Sequence, residues 1–326
     1  MKRKKGSSTV LAAVLICIGT LLVFTSLVLS GFNLSSVSSL QFADVAHGIT
    51  LPFDSIRVEE IDCTVLLRPS EDGTCTVVSQ ETSHLFNIVA VEDGTLTVRR
   101  RDERAWHERI LVFGAAEPTL TLYLPVRQYE DLTLRTTAGN VSVEAPFAFR
   151  SANLKSVSGD ILLTASVSEE ASLSTTSGSI TVRNLNVTTL TASATSGALS
   201  LRGITADAVT LSTVSGEIRM NEGIRAGTLS AKSTNGSVLL TDINVTETLS
   251  VTGVSGNVAL FNAEFADAYV ETASGNVTGT LRSSKSFDVQ TTSGVILHPE
   301  SSGGARLRVR TVSGNISFSY LSEKAS

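Results

Sequence analysis

The chain has 326 residues with 24 Gly and only 6 Pro, is 42% hydrophobic and 5% aromatic, and is 17% charged, against about a quarter in an ordinary globular protein. Ser, Thr, Val, Ile and Leu dominate, which is strand chemistry without the bulky residues of a thick sandwich core. A net charge of −5 and a pI near 5.5 exclude the basic stripe of a nucleic-acid binder, so no nucleic-acid partner is expected.

Residues 1–9 form a basic head, with Lys2, Arg3, Lys4 and Lys5. Residues 10–29, VLAAVLICIGTLLVFTSLVL, carry no charge. At 1.5 Å rise per residue such a helix spans about 30 Å, the thickness of a bilayer core. The next charge is Asp44. Basic residues before the span and none soon after it predict a signal-anchor over 10–30, with the N-terminus cytoplasmic and the body outside the cell membrane. A signal peptide cleaved near Ser30 is the alternative, and both readings export the body. Cys17 follows Val-Leu-Ile rather than the small residue that lipid attachment requires. Residues 31–50 read as a Ser-rich spacer.

From 51 to 131 the pattern is β but irregular, with candidate strands at 55–59, 63–68, 75–80, 86–91, 95–100, 110–113 and 119–124. Gly73 and Gly94 close Glu-Asp-Gly turns. A hairpin about Pro69–Gly73 would place Leu67 opposite Cys75 and leave Cys63 roughly 13 Å along the ladder, beyond disulfide reach. The region is expected to be a cap with early coils, hiding the first open edge of the repeats C-terminal to it.

From 132 to 326 one glycine recurs: Gly139, Gly159, Gly178, Gly197, Gly216, Gly236, Gly256, Gly275, Gly294 and Gly314, spaced by 19 or 20 residues. Two residues after it every position is Val, Ile or Leu, from Val141 to Ile316. Five and seven residues before it the columns are again wholly apolar, and four before it stand the polar residues Arg135, Lys155, Ser174, Lys232, Glu271 and Arg310. Alternation on both sides of a turn predicts two half-buried strands per unit. A third apolar column (Phe147, Val167, Leu185, Ile204, Ile224, Ile243, Phe265) supplies another wall. One unit cannot bury its apolar side alone, so the units stack as a parallel β-solenoid, ending in an open coil at Phe318–Tyr320. Gly is expected at the corner for its freedom to adopt φ > 0. Asn140, Asp160, Asn257, Asn276 and Asn315 follow it; they suit turns, and a calcium-binding edge is the other reading.

The segments LPFDSIRVEE and LTLYLPVRQYEDLTLRTTAGNVSVE, with units such as TVSGEIRM and TTSGSITV, resemble the bacterial putative-adhesin family of β-strand-repeat surface proteins over 51–326. The resemblance implies a membrane-linked surface protein with a parallel β-solenoid, and it brings no catalytic residues.

Function is expected to lie in surface contact. His47, His84, His107 and His298 are scattered, and no metal or nucleophile spacing occurs. The acidic residues Glu264, Asp267 and Glu271 read as solvating a loop. Catalytic, metal and cofactor sites are expected to be absent. The charged loop at 99–109 holds the only tryptophan; Arg99, Arg104, Trp106 and Arg109 are the candidate partner contacts, since Arg and Trp anchor interfaces. The bilayer is the partner of residues 10–29. A non-catalytic adhesion or structural module is the first reading, an envelope-sensing accessory of a membrane partner the second, and a polysaccharide-active β-helix enzyme the third.

Overall fold

The computed structural model describes residues 42–104, 118–301 and 303–321, together with Ile18, Gly19, Leu21 and Thr25. Two compact units are present, Met1–Gln41 with Arg104–Ala116 and Phe42–Glu103 with Glu117–Ser326. In the first, Ile18, Gly19, Leu21 and Thr25 are helical, and Thr25 Oγ1 donates to the Leu21 carbonyl at 2.9 Å. The rest of the expected span at 10–29 lies outside the described residues, among which no helix is long and apolar enough to cross a membrane.

The second unit is one 24-stranded sheet wound on itself. Its irregular part comprises β1 (Ala43–Ile49), β2 (Ser55–Glu59), β3 (Thr64–Pro69), β4 (Cys75–Glu81), β5 (Leu85–Glu92), β6 (Thr95–Asp102) and β7 (Thr119–Leu124). The regular coils follow with β8 (Gln128–Thr136), β9 (Val141–Val143), β10 (Ala148–Ser156), β11 (Ile161–Leu163), β12 (Ser166–Thr175), β13 (Ile180–Ala194), β14 (Leu199–Thr213), β15 (Ile218–Asn221), β16 (Ile224–Ser233), β17 (Val238–Thr241), β18 (Ile243–Ser255) and β19 (Val258–Ser274). The last strands are β20 (Val277–Leu281), β21 (Lys285–Ser293), β22 (Ile296–Leu297), β23 (Ala305–Ser313) and β24 (Ile316–Tyr320).

Stacking is parallel and in register: Leu154 lies between Leu134 and Leu173, and Leu211 between Ala192 and Ala231. Through the middle of the stack all three predicted walls are buried, including Ile161, Ile180, Ile218, Val238 and the third-wall residues Phe147, Leu185, Ile204 and Phe265. Arg135, Lys155, Lys232 and Glu271 point outward.

The corner glycine is required by close approach more than by dihedral angle. A Cβ on Gly159 would sit 1.7 Å from the Gly139 carbonyl oxygen, one on Gly216 1.9 Å from that of Gly197, and one on Gly236 1.7 Å from that of Gly216. None of these three glycines has positive φ, whereas Gly139 and Gly256 do, at 124° and 134°. Three residues before the glycine runs a column the sequence reading passed over: Thr136, Ser156, Thr175, Thr213, Ser233, Thr272 and Thr311, all buried. Ser156 Oγ donates to Gly139 O at 3.2 Å and accepts from its own Gly159 N–H at 2.8 Å; Thr175 repeats the pair with Gly159 and Gly178, each at 3.1 Å. A second corner was also passed over. Asn184, Gly203, Glu222, Asp242 and Asn262 share one column and all have φ between 53° and 63°, the left-handed region that Asn, Asp and Gly enter most easily.

Both ends of the stack depart from chain order. β2 pairs in parallel with β6 and β8, and β3 with β7 and β9. The first coil laid down is therefore enclosed by a later one. β5 runs antiparallel on β6, β4 on β7, and β1 on β4, which covers the edge. The expected hairpin of β3 with β4 does not form, because β7 lies between them and takes the ladder bonds of both. Cys63 and Cys75 are free and buried.

At the other end β23 and β24 insert between the β19–β20 coil and the β21–β22 coil: Val309 is flanked by Val270 and Val289, and Ile316 by Val277 and Ile296. The open coil is thus β21–β22, and not the one ending in Tyr320. Ile296, an aliphatic column residue expected inside, is 37% exposed for lack of a coil above it, while Ile316 is fully buried.

Gly216→Ala is expected to destabilise the fold by about 3 kcal/mol, because the new methyl must displace a backbone carbonyl. Gly48→Ala, with nothing within 4 Å of the added Cβ, should leave the guanidinium midpoint nearly unchanged. Equal midpoints for the two variants would show that the corners are not held by close approach.

Candidate functional site

β6 is the strand from which the charged loop departs. Arg99 is exposed and pairs with Glu59, Nε to Oε2 at 3.3 Å, and Arg101 with Glu103 at 3.3 Å. Exposed pairs of this kind contribute at most about 1 kcal/mol each. Arg104 is half-buried. Trp106 and Arg109 lie outside the described residues. Of the four candidate contacts, then, Arg99 and Arg104 are among the described residues.

The residue between two exposed arginines behaves differently. Arg100 turns inward toward Glu60, Nε to Oε2 at 4.0 Å, with side-chain exposures of 3% and 0%. Burial pushes the Glu60 carboxyl up to about 7, with Arg100 and Asn87 opposing it. Arg100 Nη1 donates to the Gln80 carbonyl at 3.0 Å, and Gln80 Oε1 accepts the Thr119 N–H at 3.1 Å. The strand leaving toward the loop and the strand returning from it are therefore both fastened to Gln80. Beside it, Glu81 Oε1 accepts from Ser79 Oγ at 2.6 Å and from the Asn87 N–H at 3.0 Å, and lies 3.2 Å from His47 Nε2. Burial works against the Glu81 charge, yet these partners hold its carboxyl below the usual range. Sequence reading missed this cluster. Its only signal was polar residues (Glu60, Ser79, Glu81, Asn87) at positions where alternation called for apolar ones.

A second polar site lies toward the other end, a cleft of about 500 Å³ lined by Asn244, Thr246, Glu264, Ser283, Ser284 and Lys285 among others. Glu264, Asp267 and Glu271 lie on β19 and do not form a loop. Lys285 is fully buried. Its ammonium donates to the Glu264 carboxylate, to Ser283 Oγ at 2.8 Å and to the Phe265 carbonyl at 3.2 Å, and sits 4.7 Å over the Phe265 ring. Three acceptors use all three protons, which makes Lys285 a buttress of the stack rather than a free base.

The Asn and Asp column after the corner glycine is equally engaged. Asn140 Oδ1 accepts from the Asp160 N–H, Asp160 from Ser179, Asn257 from Asn276, Asn276 from Asn315 and Asn315 from Val295, all between 2.7 and 2.9 Å. Among the described residues no group of His, Cys, Asp and Glu is arranged to hold a metal ion.

A parallel coil stack with an antiparallel cap and inward-facing aliphatic columns defines a β-solenoid. The chain belongs to the Toastrack DUF4097 family, whose sequence model matches residues 53–241 and 205–326. No curated protein matches it. Among solved structures it is similar to a putative adhesin from Parabacteroides distasonis (13% identity, 86% of this chain and 97% of that one, TM-score 0.48). A putative adhesin from Bacteroides fragilis (16%, 86% and 98%, 0.40) and a putative lipid binding protein from Parabacteroides distasonis (15%, 85% and 96%, 0.41) are further likenesses.

Because Glu60 binds its proton more tightly when folded, the unfolded chain releases a proton that the folded chain keeps between pH 4.5 and about 7. This contribution favours folding less and less as pH rises across that window, by about 3 kcal/mol in all. Glu60→Gln removes it. Relative to wild type, the variant's melting temperature should therefore climb from pH 5 to pH 7.5. Parallel pH profiles would mean that Glu60 titrates normally.

Proposed function

We propose that this chain is a non-catalytic surface module of the cell envelope, anchored by residues 10–29 with its N-terminus in the cytoplasm and its solenoid outside. One observation carries the non-catalytic part: the recurring polar groups are consumed by stacking. The corner hydroxyls of Ser156, Thr175 and Thr213 bond to glycine carbonyls, the Asn and Asp column bonds to the next coil's N–H groups, and Lys285 is saturated. A catalytic site needs convergent groups left available for substrate. Adhesion or mechanical spacing needs only an extended, rigid surface, which is what a solenoid supplies.

The second reading, an accessory that docks on a membrane partner, is favoured by the fastening of both loop stems to Gln80. The candidate contacts Arg104, Trp106 and Arg109 belong to the segment between these two stems. This reading shares the export topology of the first.

Three measurements test this. External protease on intact cells should remove the body and leave a membrane-bound stub of about 30 residues; a body found in the medium with its N-terminus near Gly31 would mean a cleaved signal peptide. The full-length protein should turn over no cell-wall or plant polysaccharide, and turnover by pure protein would overturn the non-catalytic reading. A Trp106→Ala, Arg104→Ala, Arg109→Ala variant should lose capture of envelope proteins cross-linked to the wild type. Undiminished capture would remove the loop from the interface and leave the adhesion module as the better reading.

A further inference from the structure

Among the described strands, the outermost coil at the C-terminal end has no neighbour on its outer side. β21 pairs only with β23 and β22 only with β24 among the described strands, while the opposite end is crossed by antiparallel β4 and β5. Unpaired strand edges with apolar side chains are docking sites for further strands. Here Val295, Ile296 and Leu297 are 59%, 37% and 61% exposed, and Phe287 and Val289 are only partly buried.

The chain covers the entry to β21 itself. The His298 ring stacks on Phe287 at 4.7 Å between centroids, and the Phe287 N–H donates to Ser301 Oγ at 3.2 Å. Backbone groups alternate sides along a strand, so Val289 and Thr291 present N–H and C=O on the same side as Phe287, away from β23. No described strand receives them.

We infer that this edge is the contact through which a second copy of the chain pairs, β21 against β21 and antiparallel, about a two-fold axis through Gln290. In that register Val289 of each copy faces Thr291 of the other, and their outward N–H and C=O groups close four hydrogen bonds. Phe287 falls opposite Ser293 of the other copy, at the margin of the paired segment, and its N–H, held by Ser301, adds no bond between copies. Gln290 meets Gln290 on the axis, and Asp288, already paired with Arg308 and Arg310, meets Thr292, so no like charges oppose. The two-fold keeps the inward faces together, and Val289, where an apolar column ends, packs against Thr291 of the second copy. A closed, isologous contact of this kind uses the edge up and does not propagate into fibres.

The coil stack carries this edge at the end opposite β1, a strand that lies within the stretch expected to be spacer. The biological direction of the contact, tip to tip between anchored molecules, rests on the surface-anchored reading above; the pairing itself does not.

The test uses the full-length protein in detergent, with two differently tagged populations mixed. Gln290→Cys, made in a Cys17→Ser background because Cys63 and Cys75 are buried, should give an oxidised dimer in high yield, whereas Lys232→Cys on the outer wall should not. Gln290→Asp places two carboxylates on the axis. Within one copy it is tolerated, since Arg310 lies beside position 290. It should lower tag-to-tag capture at least tenfold with an unchanged melting temperature. Monomeric wild type at tens of micromolar, no cross-link from Gln290→Cys, or undiminished capture by Gln290→Asp would each overturn the pairing. A monomer that still binds cell surfaces would overturn it while leaving the surface-module reading in place.

Discussion

Everything in this molecule depends on how closely two coils approach at one corner. There the carbonyl of one glycine occupies the space that a side chain on the next would need. A hydroxyl three residues upstream reaches the same carbonyl, so the buried acceptor is satisfied by a donor in the next coil. With the corner fixed, register follows without further instruction: a slip of one residue would drive a Cβ into backbone and turn every aliphatic column outward. The low aromatic content is part of the same solution. Coils a single strand spacing apart leave room for Val, Ile, Leu and Ala, and Phe gathers near the ends, where Phe53, Tyr129, Phe149 and Phe147 form a chain of ring contacts.

The repeat was legible because its physics is periodic. Ile218 and Leu211 could be placed inside, and Lys232 outside, from spacing alone. The corner hydroxyls were just as periodic, yet Ser and Thr are so common in this chain that a column of them does not stand out from its background. The left-handed corner escaped notice for a related reason. Asn184, Gly203, Glu222, Asp242 and Asn262 are chemically diverse, and what they share is a dihedral angle.

The ends were not legible, because adjacency there is decided by which surface is left uncovered rather than by sequence distance. Nothing in the order of residues distinguishes Val289 from Val309, yet one sits at the rim and the other within the stack. The same holds at the capped end, where β7 displaced an expected hairpin partner. Of the candidate site, Arg99 and its exposed neighbours were visible as a charged run. The inward turn of Arg100 toward Glu60 was not, since period-two alternation within that run says only that one arginine in two faces inward, and not which charge awaits it. The loop's stems and its charge thus belong to one arrangement that only the folded chain brings together.

The reversed order of the last two coils bears on how the molecule is completed. A chain that emerges N-terminus first can wind its middle coils as they appear, each on a finished predecessor. The segment that becomes the rim has no such seat when it arrives, because the strands it rests on, β23 and β24, follow it in the sequence. The rim coil therefore gains its ladder partners only once β23 and β24 are seated between it and the β19–β20 coil. The same arrangement seats β23 and β24, the last strands among the described residues, between two coils, so that local opening there must break ladder bonds on both edges at once.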